Sequence, residues 1–204
     1  MSKKRVYISA DYADGDGDRE VVNELNEWGQ DNLHKVDFVD MAKVVSGTVA
    51  KDEDCRICDL KAEFNRQINA SSAVIFIVGD KTANRKAGSA CSRWWQKQEE
   101  CSCTPYKNNR NGSKPCRIES TSKTSENDDF GNINCCSYLQ HEFEQAKKKN
   151  KEIIILYNST RNETTWFPSY MKGYEDKAKP FWTYNSERKK VGDYAAIKLA
   201  LGYD

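Results

Sequence analysis

The residues available for covalent chemistry are few, and that scarcity narrows the reactions to consider. The two histidines, His34 and His141, have no partner that spacing places beside them for a Ser-His-Asp triad. No GxGxxG, phosphate loop or GxSxG turn follows a strand-like run. Asp11, Asp14, Asp16 and Asp18 partly imitate a calcium loop. Gly15 and Gly17 fall at the wrong positions and no glutamate closes the loop, so a solvated acidic turn is expected. Of the eight cysteines (55, 58, 91, 101, 103, 116, 135 and 136), Cys55 and Cys58 have CxxC spacing. Cys101 and Cys103 do not, and no second CxxC pair exists, so a closed four-ligand zinc site is only partly met. Reduced thiols and no metal are expected.

What remains is Glu142. In Tyr138–Ala146, Leu139, Phe143 and Ala146 recur at i, i+4 and i+7, the apolar face of a helix. Glu142 precedes Phe143 and stands at the margin of that face, where a carboxylate can overhang a pocket. Most single helix glutamates are solvated, so its address must come from the rest of the chain. One carboxylate suits cleavage of a glycosidic C–N bond, because it can offset charge on an oxocarbenium-like sugar or bond its hydroxyls. A departing pyridinium needs no general acid. Tyr12 and Tyr138 offer rings on which a nucleobase can stack, beside the small Ser9 and Ala10.

The elements that must position these residues follow from periodicity. Arg5–Ala10 reads as a first strand, leaving through Ser9-Ala10-Asp11-Tyr12. Asp18 is placed to cap a helix with Val21, Val22, Leu25 and Trp28 inward. Val36–Asp40 alternates as a second strand, and residues 52–69 form a helix with Leu60, Phe64 and Ile68 at four-residue spacing. Ala73–Val78 is apolar throughout, the mark of a strand buried on both faces, and exits through Gly79-Asp80-Lys81-Thr82. Periodicity is then lost over residues 85–134, apart from a short helix opened by Trp94-Trp95, so this stretch is a Cys-rich insertion within a single domain spanning 1–204. The helix at Tyr138 follows, with His141 expected on its exterior, and then the strand Ile153–Tyr157. Phe181–Thr183 is expected as a short edge strand, and Val191–Leu201 as a closing helix with Tyr194, Ile197 and Leu201 inward.

Alternating strands and helices predict an α/β fold, a parallel sheet covered on both faces. If its order is 2-1-3-4-5, ligands bind where the order reverses, between the exits of strands one and three. The helix at Tyr138 borders that crevice, with Glu142 one turn inside. With 32 Lys+Arg against 31 Asp+Glu, the net charge of +1 gives no electrostatic case for nucleic acid or a membrane surface. No apolar run approaches the length of a membrane span, and Met1-Ser2-Lys3-Lys4-Arg5 does not open a signal peptide. A cytoplasmic protein is expected.

Three stretches in this order resemble the TIR-domain family, and within it the TIR proteins of bacterial Thoeris anti-phage systems. They are Arg5–Ser9, Ser72–Arg85 with its Gly79-Asp80-Lys81-Thr82-Ala83-Asn84 turn, and Tyr138–Ala146 leading into Ile153–Ile155. The resemblance covers most of the chain outside the insertion. It implies a flavodoxin-like five-stranded sheet and NAD+ as substrate rather than cofactor. Nicotinamide would be released by NAD+ nucleosidase or ADP-ribosyl cyclase chemistry, and an ADP-ribose-derived signal would activate an effector protein after a phage-derived trigger. By position, it assigns Glu142 as catalytic. Ser9, Ala10, Asp11 and Tyr12 line the crevice, with Gly79, Asp80 and Lys81 opposite and Tyr138 flanking. It also leaves room for a homo-oligomer. Many relatives lack the 85–134 insertion, which is expected to serve as a lid or an assembly surface. Two other readings stay open: a non-catalytic TIR-like adaptor acting by self-association, and an N-glycosidic enzyme resembling nucleoside deoxyribosyltransferases.

Overall fold

The computed structural model describes residues 3–11, 17–31, 34, 36–41, 63–84 and 137–203. Tyr12, all eight cysteines, the Trp94-Trp95 helix, the 85–134 insertion and residues 52–62 of the expected second helix lie outside the described residues.

The sheet is built around Ala73–Val78 (β3), buried at all six positions. Its neighbours are Lys4–Ser9 (β1) and Glu152–Tyr157 (β4), with Val36–Val39 (β2) beyond β1 and Ala178–Pro180 (β5) beyond β4. The strands run in the order β2-β1-β3-β4-β5, and every adjacent pair is parallel. β3 and β4 end level, Val78 beside Tyr157, and β1 ends at Ser9 opposite Phe76, two residues earlier, so the three exits lie along one edge.

Both faces are covered. Helix Arg19–Gln30 (α1) buries Val21, Val22 and Leu25 against Val6, Ile8, Ile75 and Ile77. The other face carries helical residues 63–70 (α2) and helix Tyr138–Lys148 (α3) over Tyr7, Val74, Phe76 and Ile155. Among the described residues, no helix is long and apolar enough to cross a membrane.

Two expectations at the carboxyl-terminal end need correction. The fifth strand is Ala178–Pro180, not Phe181–Thr183. Pro180 has no N–H and is tolerated in an edge strand, after which Phe181 turns inward and is fully buried. Trp182–Tyr184 (β6) instead pairs antiparallel with Lys190–Gly192 (β7). Val191 therefore belongs to a strand, and the closing helix is Tyr194–Ala200 (α4). Its start is fixed by Asp193, whose side chain accepts from the Ala196 N–H at 2.9 Å.

Candidate active site

The α3 helix is fixed at its start and along one side. Ser137 caps it, its hydroxyl accepting from the Gln140 N–H at 3.0 Å. Leu139, Phe143 and Ala146 are buried, as their spacing predicts, and Phe143 packs edge-on against Phe76 at 5.4 Å between ring centroids. His141 is not on the exterior. It is buried, and its Nε2 lies 3.1 Å from Asn65 Oδ1, while Gln145 Nε2 donates to Asn69 Oδ1 at 2.9 Å. The helix touches the sheet and α2 at once, so its buried stripe is wider than one apolar face. The matching i, i+4 spacing of Asn65/Asn69 and His141/Gln145 was the available sign of that contact.

One residue is about 100° of turn on a helix, so Glu142 points to the β1 side of Phe143. Its side chain lies over the end of β1 and is only 4% exposed. Tyr7 donates its hydroxyl to Oε1 at 2.5 Å, and the Ser9 hydroxyl donates to Oε2. Alternation along β1 puts Tyr7 and Ser9 on the same face. Burial pushes the Glu142 carboxyl up to about 7, against the bonds from Ser9 and Tyr7, which favour the ionised form. Tyr7 was not among the sequence candidates; a hydroxyl two residues before Ser9 in an otherwise apolar strand was the sign. Glu144 points away, half-buried, and pairs with Lys147 at 3.4 Å.

Of the other candidates, Ala10, Asp11, Gly79, Asp80 and Lys81 follow the ends of β1 and β3. Ala10 is buried beside Ser9 and Asp11 is half-buried. Gly79 begins a tight turn in which its N–H donates to Thr82 Oγ1 at 2.8 Å. Asp80 and Lys81 are exposed on the rim of that turn. Tyr138 opens α3 and meets Phe64 edge-on at 5.5 Å, so its ring belongs to the α2–α3 contact. Among the described residues, no group of three or more His, Cys, Asp or Glu side chains is placed to hold a metal ion.

A second acid stands at this edge. Asp18 was expected to cap α1 from a solvated turn, yet it is 3% exposed and its side chain makes no bond to the helix. It turns to Asn158, just beyond β4, whose Nδ2 donates to Oδ1 at 3.0 Å. Asn158 Oδ1 in turn accepts from Trp182 Nε1 at 2.8 Å, and the Asp18 N–H donates to the Asp11 carbonyl at 2.7 Å. A Cβ on Gly79 would stand 2.4 Å from Asp18 Oδ1, so any side chain here would displace that carboxylate. Burial pushes the Asp18 carboxyl up to about 6, opposed by the Asn158 bond and the Asp11 backbone and reinforced by the negative charges of Asp11 and Asp80. No sequence spacing marked Asn158 as its partner, because the two are 140 positions apart.

A separate open groove of about 650 Å³ runs beside β4, β5 and α4, lined by Ile154, Leu156, Lys179, Trp182 and Ala196; neither Glu142 nor Asp18 lines it. Compared with protein-family models, curated proteins and solved structures, the chain matches none.

Proposed function

We propose that the chain is a TIR-type enzyme of flavodoxin-like fold that cleaves NAD+ at the nicotinamide–ribose bond. The observation that carries this reading is Glu142, a buried carboxylate held by Tyr7 and Ser9 at the end of β1, where the strand order reverses. The five-stranded order and the helices on both faces are compatible with that family's fold. The C1′–N bond breaks with its electron pair passing to the pyridine nitrogen, so nicotinamide leaves neutral and unprotonated. The ionised Glu142 offsets the positive charge that develops on the ribose. Water, or an internal nucleophile in a cyclising reaction, adds at C1′, and Glu142 takes its proton and passes it to solvent. Fixed donors and exclusion of water make one carboxylate effective here. On this reading the ADP-ribose-derived product carries a defence signal in the cytoplasm to an effector protein, after a phage-derived trigger.

The test is incubation of the full chain with NAD+, with and without extract of phage-infected cells, and measurement of nicotinamide. Release by the wild type that is lost in Glu142→Gln supports the proposal. Unchanged release in that variant removes Glu142 from the chemistry. Turnover of deoxynucleosides with NAD+ left intact moves the reading to nucleoside deoxyribosyltransferase chemistry. Ordered self-association without any turnover moves it to an adaptor.

A further inference from the structure

Asp18 bears two local costs at the sheet edge. Aspartate is among the best helix caps, and forgoing the cap bond leaves a helix N–H without that partner. Asp18 holds the capping position of α1 but does not cap it. It is also buried, and among the described residues no cation pairs with it. Nearby contacts nevertheless fix it closely. Asp11 beyond β1, Gly79 beyond β3 and Asn158 beyond β4 all meet it, so it spans the exits of three adjacent strands. Ligands of open parallel sheets bind outside that edge. Local rules broken together, at the place where ligands bind, mark functional residues.

We propose that Asp18 is a second substrate-contacting residue of the crevice, whose carboxylate accepts a hydrogen bond from a hydroxyl of the ribose that Glu142 faces. The position of the two acids selects the ribose. Ser9 holds Glu142, and Asp11 holds the backbone of Asp18 two residues further along the same chain. Glu142 and Asp18 reach this edge from opposite faces of the sheet, Glu142 from the α3 face and Asp18 from the α1 face. A substrate laid across this edge meets an acid from each face, and the sugar is what Glu142 must face to do its chemistry. Asn158 orients the acceptor, and Gly79 keeps the approach open.

This inference rests on the NAD+ reading, and one experiment separates the two. Nicotinamide release is measured for wild type and Asp18→Asn with NAD+ and with analogues lacking the 2′- or the 3′-hydroxyl on the nicotinamide ribose. Wild type is expected to prefer NAD+ to at least one analogue by about tenfold or more, because a buried acceptor left unpaired rejects the analogue. In Asp18→Asn that preference is expected to shrink to about threefold or less. A merely structural Asp18 lowers turnover of all three substrates alike and leaves the preference intact, which overturns the assignment. If Asp18→Asn does not fold, Asp18→Glu, which moves the carboxylate by one methylene, is expected to change the preference, and an unchanged preference overturns the assignment equally. Wild type that releases no nicotinamide from NAD+ under any trigger overturns the underlying reading, and Asp18 with it.

Discussion

Glu142 and Asp18 are two buried acids at one sheet edge, reached from opposite faces and held in different ways. Hydroxyls of Tyr7 and Ser9, within the last three residues of β1, hold Glu142, one on each carboxylate oxygen. A side-chain amide from beyond β4 holds Asp18, and that amide is itself fixed by Trp182. Burial raises both carboxyls, to about 7 and about 6. The contrast shows how one edge can divide its work. On the proposed reading, a strand end orients the reactive group, because rigid elements hold geometry best. On the same reading, Asp18, which only receives a substrate hydroxyl, is held from the strand exits.

The sharpest way to break this contrast is to change each acid alone. Glu142→Gln is expected to lower nicotinamide release about a hundredfold or more, the range for losing one preorganised electrostatic group. Its melting temperature should not fall at pH 8, since the amide removes a buried charge. An equally large loss of turnover in Asp18→Asn would erase the difference in roles.

Gly79→Val tests the Asp18 side through packing. A branched side chain pressed against that carboxylate is expected to destabilise the protein by about 1–3 kcal/mol, read as a lower melting temperature. Unchanged stability would show that Asp18 can move and is not held as described.

Smaller effects distinguish the two holding arrangements. Tyr7→Phe and Ser9→Ala each remove a donor that favours the ionised Glu142, so the rise of activity with pH is expected to move upward by about one unit. Asn158→Ala should leave that profile in place. A Tyr7→Phe profile that does not move would remove Tyr7 from the positioning of Glu142.

The pH dependence of stability follows from the same groups. Each carboxyl is raised in the folded state, so its contribution is fully present below its ordinary value and is lost as pH rises through the folded one. For Glu142 that window runs from 4.5 to about 7, and for Asp18 from 3.8 to about 6. Wild type is expected to lose on the order of 2 kcal/mol more than Glu142→Gln between pH 4.5 and pH 8, measured by denaturant titration. Parallel curves for the two proteins would contradict the burial of an ionisable Glu142.

Much of the frame was legible in the sequence because it rests on short-range periodicity. The apolar run Ala73–Val78 marked the central strand, and the spacing of Leu139, Phe143 and Ala146 marked the inner face of α3. Glu142 was found because it borders that face. The rest depends on contacts between distant residues. The Asp18–Asn158 bond, the Tyr7 hydroxyl on Glu142 and the His141–Asn65 contact join segments that no local pattern links. Asp18 misled for a physical reason: an aspartate before an apolar-periodic run reads as a cap, and only burial against Gly79 and Asn158 turns it elsewhere.

The most direct measurement is the mass spectrum of nucleotides after purified wild type and Glu142→Gln are each incubated with NAD+ and extract of phage-infected cells. The expected result is free nicotinamide and an ADP-ribose-derived product from the wild type alone. Equal product from both proteins, or NAD+ left intact by both, would contradict the central role given to Glu142.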